Sequence, residues 1–336
     1  MVTKTIIYVR LPGTAEYRGD SCVHDNTTII MENLDGAPRR PAPVAILSPI
    51  QPRREIALEA IADAHDFSHL LLREKIGEGG LGAVFRMYKR DSETDSDTTY
   101  ALKVPTKVRP ITYKHFALEA RLLRDLGHQG TATPRVVSDG ITGDVPYILM
   151  ADLGFNYLDF SLERPPVEKA TRVGLDVAAV LVALHRLKYR HNDIKPENIH
   201  YSFSGYVHLF DFASASPLDT DELQTCLTPR FLAPERVTNE HPLSGAVDVF
   251  SLGATLYELL AKAPAFVVSA HPNSSTALRQ HTELVRSGAY PRLQGYPVRL
   301  VGLIDAMMSY DPARRPSLPA IREELLAVRQ QEGYEC

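Results

Sequence analysis

His191-Asn192-Asp193-Ile194-Lys195-Pro196-Glu197-Asn198 decides how this chain is read. The octapeptide puts a carboxylate, an ammonium and an amide on one short loop, in the order that phosphoryl transfer needs. Asp193 can accept a proton from an attacking hydroxyl, and Lys195 can neutralise charge on a moving phosphoryl group. Asn198, five residues past the Asp, offers an oxygen to a hard divalent cation. Taken alone, the string would also suit a polar loop between two strands. Its neighbours settle the matter.

Upstream, Gly77-Glu78-Gly79-Gly80-Leu81-Gly82 precedes Ala83-Val84. Glycine lacks a Cβ, so such a backbone can pass close over phosphates and point N–H groups at them. A dinucleotide-binding turn of this spelling should open into a helix. Here residues 83–88 read as a strand, as do 70–76 and 100–104, with Lys103 on the last of these. Residues 113–126 read as a helix, with Phe116, Ala120, Leu123 and Leu126 on one stripe. Glu119 lies one turn from Phe116 and Leu123, and a carboxylate beside an apolar stripe is costly to bury unpaired. The inference is a Lys103–Glu119 ion pair, against the plainer alternative of a solvated glutamate. Two more strands are expected at 135–139 and 147–150, and a buried helix at 168–186.

Downstream, Leu209-Phe210-Asp211-Phe212-Ala213 follows the loop at a hairpin's distance. Farther on come Thr228-Pro229-Arg230-Phe231-Leu232-Ala233-Pro234-Glu235, Asp248-Val249-Phe250-Ser251-Leu252-Gly253, and Arg315 within Asp311-Pro312-Ala313-Arg314-Arg315-Pro316. Each fragment alone is an ordinary loop or helix. Together, in this order and spacing from about residue 70 to 327, they resemble the eukaryotic-type Ser/Thr protein kinase family.

The resemblance implies an α+β, two-lobed protein kinase fold: a small β-rich N-lobe with one main helix, and a larger α-helical C-lobe. It implies ATP and Mg²⁺ as cofactors, and transfer of the γ-phosphoryl group to Ser or Thr hydroxyls of a protein substrate. Asp193, Lys195, Lys103 and Glu119 would be the catalytic set. Gly77, Glu78, Gly79, Gly80, Leu81, Gly82, Val84, Ala101, Lys103, Met150 and Leu153 would line the nucleotide site, and Asn198 and Asp211 would hold the metal. Glu235 would pair with Arg315. Lys195 and Thr228 match the Ser/Thr rather than the Tyr type.

Phe250 stands where the family has Trp, in a chain without Trp, and three further positions depart from the family pattern. Asn192 stands where Arg is usual, so it cannot receive a phosphate from the segment after Asp211; activity is expected not to depend strongly on one docked there. Ser214, Ser216, Thr220 and Thr225 are the candidate modification sites on that segment. Ala213 replaces Gly, which narrows the backbone options but removes no metal ligand. His200, two residues past Asn198, could stack on adenine, narrow the site, or simply pack. These departures would also suit an inactive kinase-like scaffold, but the retained Lys103, Asp193, Asn198 and Asp211 oppose that reading. A small-molecule phosphotransferase would lack the 228–235 segment.

The domain is expected at 67–327, with the N-lobe at about 67–150, the C-lobe at about 155–327, and a tail at 328–336. Residues 1–66 form a different N-terminal extension, with a strand at 5–11 and a helix at 55–65. Between them, Pro38, Pro41, Pro43, Pro49 and Pro52, with two Arg pairs, read as an extended linker that could dock on a partner reading polyproline II. Composition is ordinary for a globular protein, at 44% hydrophobic and 23% charged residues. A formal net charge of −4 gives no case for nucleic acid or an anionic membrane. Cys22, Cys226 and Cys336 form neither a disulfide framework nor a metal pattern, and no signal-peptide or membrane-spanning pattern is present. An intracellular protein is expected, with cytoplasm and nucleus not distinguished.

Overall fold

The computed structural model describes residues 70–334, except 80, 90–98, 155–157, 159–165, 203, 221–228, 239 and 269–274. The readings made for residues 1–66, Gly80, Thr225 and Thr228 lie outside the described residues.

Five antiparallel strands form the first sheet: β1 (Leu70–Glu78), β2 (Ala83–Lys89), β3 (Thr99–Val104), β4 (Val136–Thr142) and β5 (Val145–Ala151), in the order β1-β2-β3-β5-β4. The period of two along the strands divides the side chains between two faces. Leu102 and Val104 of β3 join Phe85, Met87, Tyr147 and Leu149 in one apolar cluster. Ala101 joins Ile148 and Met150 in another, against Phe116 and Ala120 of helix α1 (Pro110–His128). Lys103 alternates with Leu102 and so falls on the α1 face. Pro110 opens α1 at a position where a missing N–H costs nothing.

The second lobe is mainly helical: α2 (Pro166–Arg186), α3 (Ala246–Ala261), α4 (Ser275–Ser287), α5 (Val298–Met307) and α6 (Leu318–Gln331). Every residue of α3 from Val247 to Leu260 is buried, so this helix is enclosed on all sides. Gly253 makes that enclosure tight, because a Cβ there would sit 2.7 Å from the Cβ of Met307 on α5. Short strand pairs lie over the helices: β6 (Tyr189–Arg190) with β9 (Ser216–Pro217), and β7 (Ile199–Tyr201) with β8 (Val207–Leu209). All the elements expected between residues 70 and 186 are present, each running one to three residues further at one end or both, with β4 starting one residue later than expected.

The expected Glu235–Arg315 pair forms at 2.5 and 2.8 Å, with both side chains essentially excluded from solvent. Arg315 also donates to the carbonyls of Ala246 and Ser309 and lies 5.1 Å from the Phe250 ring. It thus ties the segment before α3 to the chain before α6. Replacing Arg315 with Met leaves the Glu235 carboxylate buried and unpaired, so unfolding stability should fall by about 3–5 kcal/mol in urea denaturation. A loss under about 1 kcal/mol would show the pair to be dispensable.

Candidate active site

The glycine stretch is a hairpin turn. Gly77 pairs with Val84 and Glu78 with Ala83 across β1 and β2, and Gly79 N–H donates to Gly82 O at 2.8 Å. The chain continues as a strand, which excludes the dinucleotide-binding alternative. Gly82 has a specific need for its missing side chain, since a Cβ would stand 2.8 Å from the carbonyl oxygen of Val104. Glu78 and Leu81 flank this turn. Val84 lies opposite Lys103, and Ala101 opposite Met150.

Lys103 Nζ donates to both carboxylate oxygens of Glu119, at 2.7 and 2.8 Å, and to Asp211 Oδ1 at 2.7 Å. The pair inferred from periodicity therefore forms, with Glu119 1% exposed. Burial alone would lower the Lys103 pKa, but Asp211 and Glu119 outweigh it and hold the ammonium above its ordinary range. Asp211 is the mirror case: burial pushes its carboxyl up, and Lys103 brings it below the usual carboxylate range.

The 191–198 loop is folded around its own carboxylate. Lys195 Nζ lies 2.9 Å from Asp193 Oδ2, and Asn198 Nδ2 donates to the same oxygen at 2.9 Å and to Asp193 O at 2.8 Å. Burial lowers the Lys195 pKa, but Asp193 beside it dominates and keeps the ammonium charged. Asp193 N–H points to Nδ1 of His191 at 3.3 Å, and His191 Nε2 faces Phe210 O at 3.3 Å, which fixes the neutral ring in one tautomer. Burial holds that imidazole below its ordinary pKa, and its ring lies 4.8 Å from Phe212.

Two oxygens in this cluster suit a hard cation. Asn198 spends its amide hydrogens on Asp193, so Oδ1 remains as an acceptor. Asp211 takes Lys103 on Oδ1 and keeps Oδ2, its backbone being held at φ 63°. Among the described residues no group of three or more His, Cys, Asp or Glu could hold a metal. A Mg²⁺-like ion held by one carboxylate, one amide oxygen and substrate phosphates fits that donor set.

Asp248, fully buried on α3, accepts from His191 N–H at 2.9 Å and Asn192 N–H at 2.8 Å, with His185 Nε2 at 2.9 Å. Ala213 is buried in the short turn Phe212–Ser214. Ser216 is 3% exposed and its hydroxyl accepts from Asn192 Nδ2, while Ser214 is also buried. Neither is presented for modification. His200 is buried on β7 with its ring edge-on to His208, 6.1 Å away across the hairpin.

Met150 is buried at the end of β5, and Leu153 is partly exposed beyond it. Between them lies Asp152, whose ion pair the sequence did not reveal. Asp152 Oδ2 accepts from Arg86 Nε of β2 at 2.5 Å, and Arg86 also reaches Glu74 at 2.6 Å. Arg190 and Arg236, both buried beside Asn192, were missed as well. No local pattern marks these arginines; only their burial does.

Residues 71–326 match the protein kinase domain family, and the chain belongs to that family. It is 31% identical over 274 residues to the serine/threonine-protein kinase PknK of Mycobacterium bovis, across 77% of this chain and 24% of that protein. It is 30% identical over 207 residues to the serine/threonine-protein kinase gad8 of Schizosaccharomyces pombe, across 58% of this chain and 35% of that protein. A putative mitogen-activated protein kinase kinase kinase 7-like protein of Drosophila melanogaster is 28% identical over 282 residues, 80% of this chain and 68% of its own length. The chain thus spans about a quarter of the mycobacterial relative. Among the described residues, no helix is long and apolar enough to cross a membrane.

Leu232, next to Ala233-Pro234-Glu235, has its carbonyl held by Nε2 of fully buried His281 on α4 at 2.7 Å. Burial lowers the His281 pKa from 6.5 to about 4. The unfolded chain therefore binds a proton first as pH falls, and the stability from this group is present above pH 6.5 and lost toward pH 4. Between pH 7 and pH 5 the wild type should lose ~2 kcal/mol more than His281→Gln, whose amide can still donate to Leu232 O. Urea denaturation of both at the two pH values checks this; parallel losses would contradict it.

Proposed function

We propose that this chain is a Ser/Thr protein kinase, transferring the γ-phosphoryl group of MgATP to Ser or Thr hydroxyls of protein substrates. The observation that carries the reading is the union of two charge clusters at one cleft: Asp193 with Lys195 and Asn198, and Lys103 with Glu119 and Asp211. Lys103, fixed by Glu119, would bind the α- and β-phosphates under the Gly77–Gly82 hairpin. Asp193 would orient the substrate hydroxyl and take its proton as the oxygen bonds to the γ-phosphorus and ADP departs. Lys195 would stabilise charge on the transferred group. Asn198 Oδ1 and Asp211 would hold Mg²⁺, which when bound neutralises the phosphate oxygens. The Ser/Thr preference is supported by Lys195 two residues after the base, and by the names of the mycobacterial and fission-yeast relatives.

Phosphoryl transfer from γ-labelled MgATP to a mixed protein substrate tests the reading. Wild type should label Ser and Thr, and Asp193→Ala should lower the rate by roughly 10²–10⁴-fold with nucleotide binding retained. Label on Tyr alone would refute the Ser/Thr assignment. No transfer by folded wild type, with Mg²⁺ or Mn²⁺, would leave a nucleotide-binding scaffold.

A further inference from the structure

Asn192 occupies a left-handed backbone position, at φ 68°, which asparagine tolerates better than most side chains. Its amide is fully used: Nδ2 donates to Ser214 O at 2.8 Å and Ser216 Oγ at 2.9 Å, and Oδ1 accepts from Arg190 Nε at 3.1 Å. Arg190, 1% exposed, extends past it to donate to Thr220 O at 2.6 Å and Leu218 O at 3.4 Å. Its backbone pairs with Ser216 in the β6–β9 bridge, and Leu218 N–H donates to Lys188 O at 2.8 Å. From the opposite side Arg236, 4% exposed, donates through Nη1 to the carbonyl of Asn192 at 2.6 Å. The Nε of Arg236 is buried without a hydrogen-bond partner.

Two guanidinium groups buried this close are costly, and an apolar side chain could fill either space more cheaply. Their contacts say what they hold. Arg315, nearby, meets a carboxylate in a bidentate pair and is accounted for by stability. Arg190 and Arg236 instead grip backbone carbonyls on both sides of the Asp193 loop. One holds the stem of the segment after Asp211; the other holds the residue before Asp193. Asp193, Asp248 and Glu235 supply the negative charge around Arg236.

We infer that Arg190 and Arg236 are positioning residues that fix the Asp193 loop and the 214–220 stem from within, so that phosphoryl transfer needs no phosphate on that segment. The inference rests on the kinase reading above and names the residues that replace an arginine–phosphate contact.

The test uses the full chain, treated with a Ser/Thr phosphatase and checked by intact mass before and after initial-rate assays. Unphosphorylated wild type should keep its rate; loss of activity on dephosphorylation overturns the inference without any variant. Arg190→Gln and Arg236→Gln should each lower kcat by about 30- to 100-fold, as a displaced reacting group would. KM for ATP should stay within about threefold, because neither residue reaches the nucleotide site. Unchanged kcat in either variant, or a matching loss of nucleotide affinity, refutes a positioning role. Hydrogen exchange of the 212–220 peptide gives a readout independent of activity. It should be slow in unphosphorylated wild type and about tenfold or more faster in Arg190→Lys, which keeps the charge but not the fork. Should wild type transfer no phosphoryl group, the kinase reading fails and exchange alone decides; equal exchange in the two proteins overturns the inference.

Discussion

The carboxylate of Asp248 is the constraint on which the reactive loop depends. It is fully buried on an enclosed helix, where an unpaired charge would cost several kcal/mol. Burial pushes its pKa up, but the His185 contact and the donors on the loop more than reverse that, leaving the carboxyl below its usual range. Both of its oxygens are committed to consecutive backbone N–H groups, at His191 and Asn192. A loop gripped through its main chain cannot slide without abandoning that charge. The partly buried Asp193 and Lys195 are therefore anchored to an enclosed helix of the larger lobe.

The two lobes meet electrically as well as sterically. Lys103 belongs to the sheet, Glu119 to the helix packed on it, and Asp211 to the other lobe, and the one ammonium of Lys103 serves both carboxylates. Moving α1 outward would strand Glu119 in an apolar setting and leave Lys103 with a single partner. Such a cluster favours one relative placement of its parts over a continuum.

Much of this was legible in the sequence because period governs it. The three- and four-residue recurrence of Phe116, Ala120 and Leu123 put Glu119 inward, where its carboxylate needed a partner, and Lys103 on the preceding strand was the cation at hand. Asp193, Asn198 and Asp211 stood out because their types match a chemistry at fixed spacing. What escaped reading were contacts made across long separations by residues with no distinguishing neighbours. Arg86 meets Asp152 from 66 positions away, and Arg236 meets the Asn192 carbonyl from 44. An arginine in a string looks like a surface residue until the fold encloses it. Ser216 fails in the opposite direction: it reads as a modification site, but its hydroxyl is already bonded and hidden.

The Arg86–Asp152 contact bears on how the cleft opens. Asp152 is nearly sealed from solvent, takes Arg86 on one oxygen and Gly154 N–H on the other, and Gly154 itself has φ 78°. Strand β2, which carries the roof of the cleft, is thereby welded to the first residues leaving the sheet. A shift of the roof therefore draws the connector with it unless the Arg86–Asp152 contact breaks.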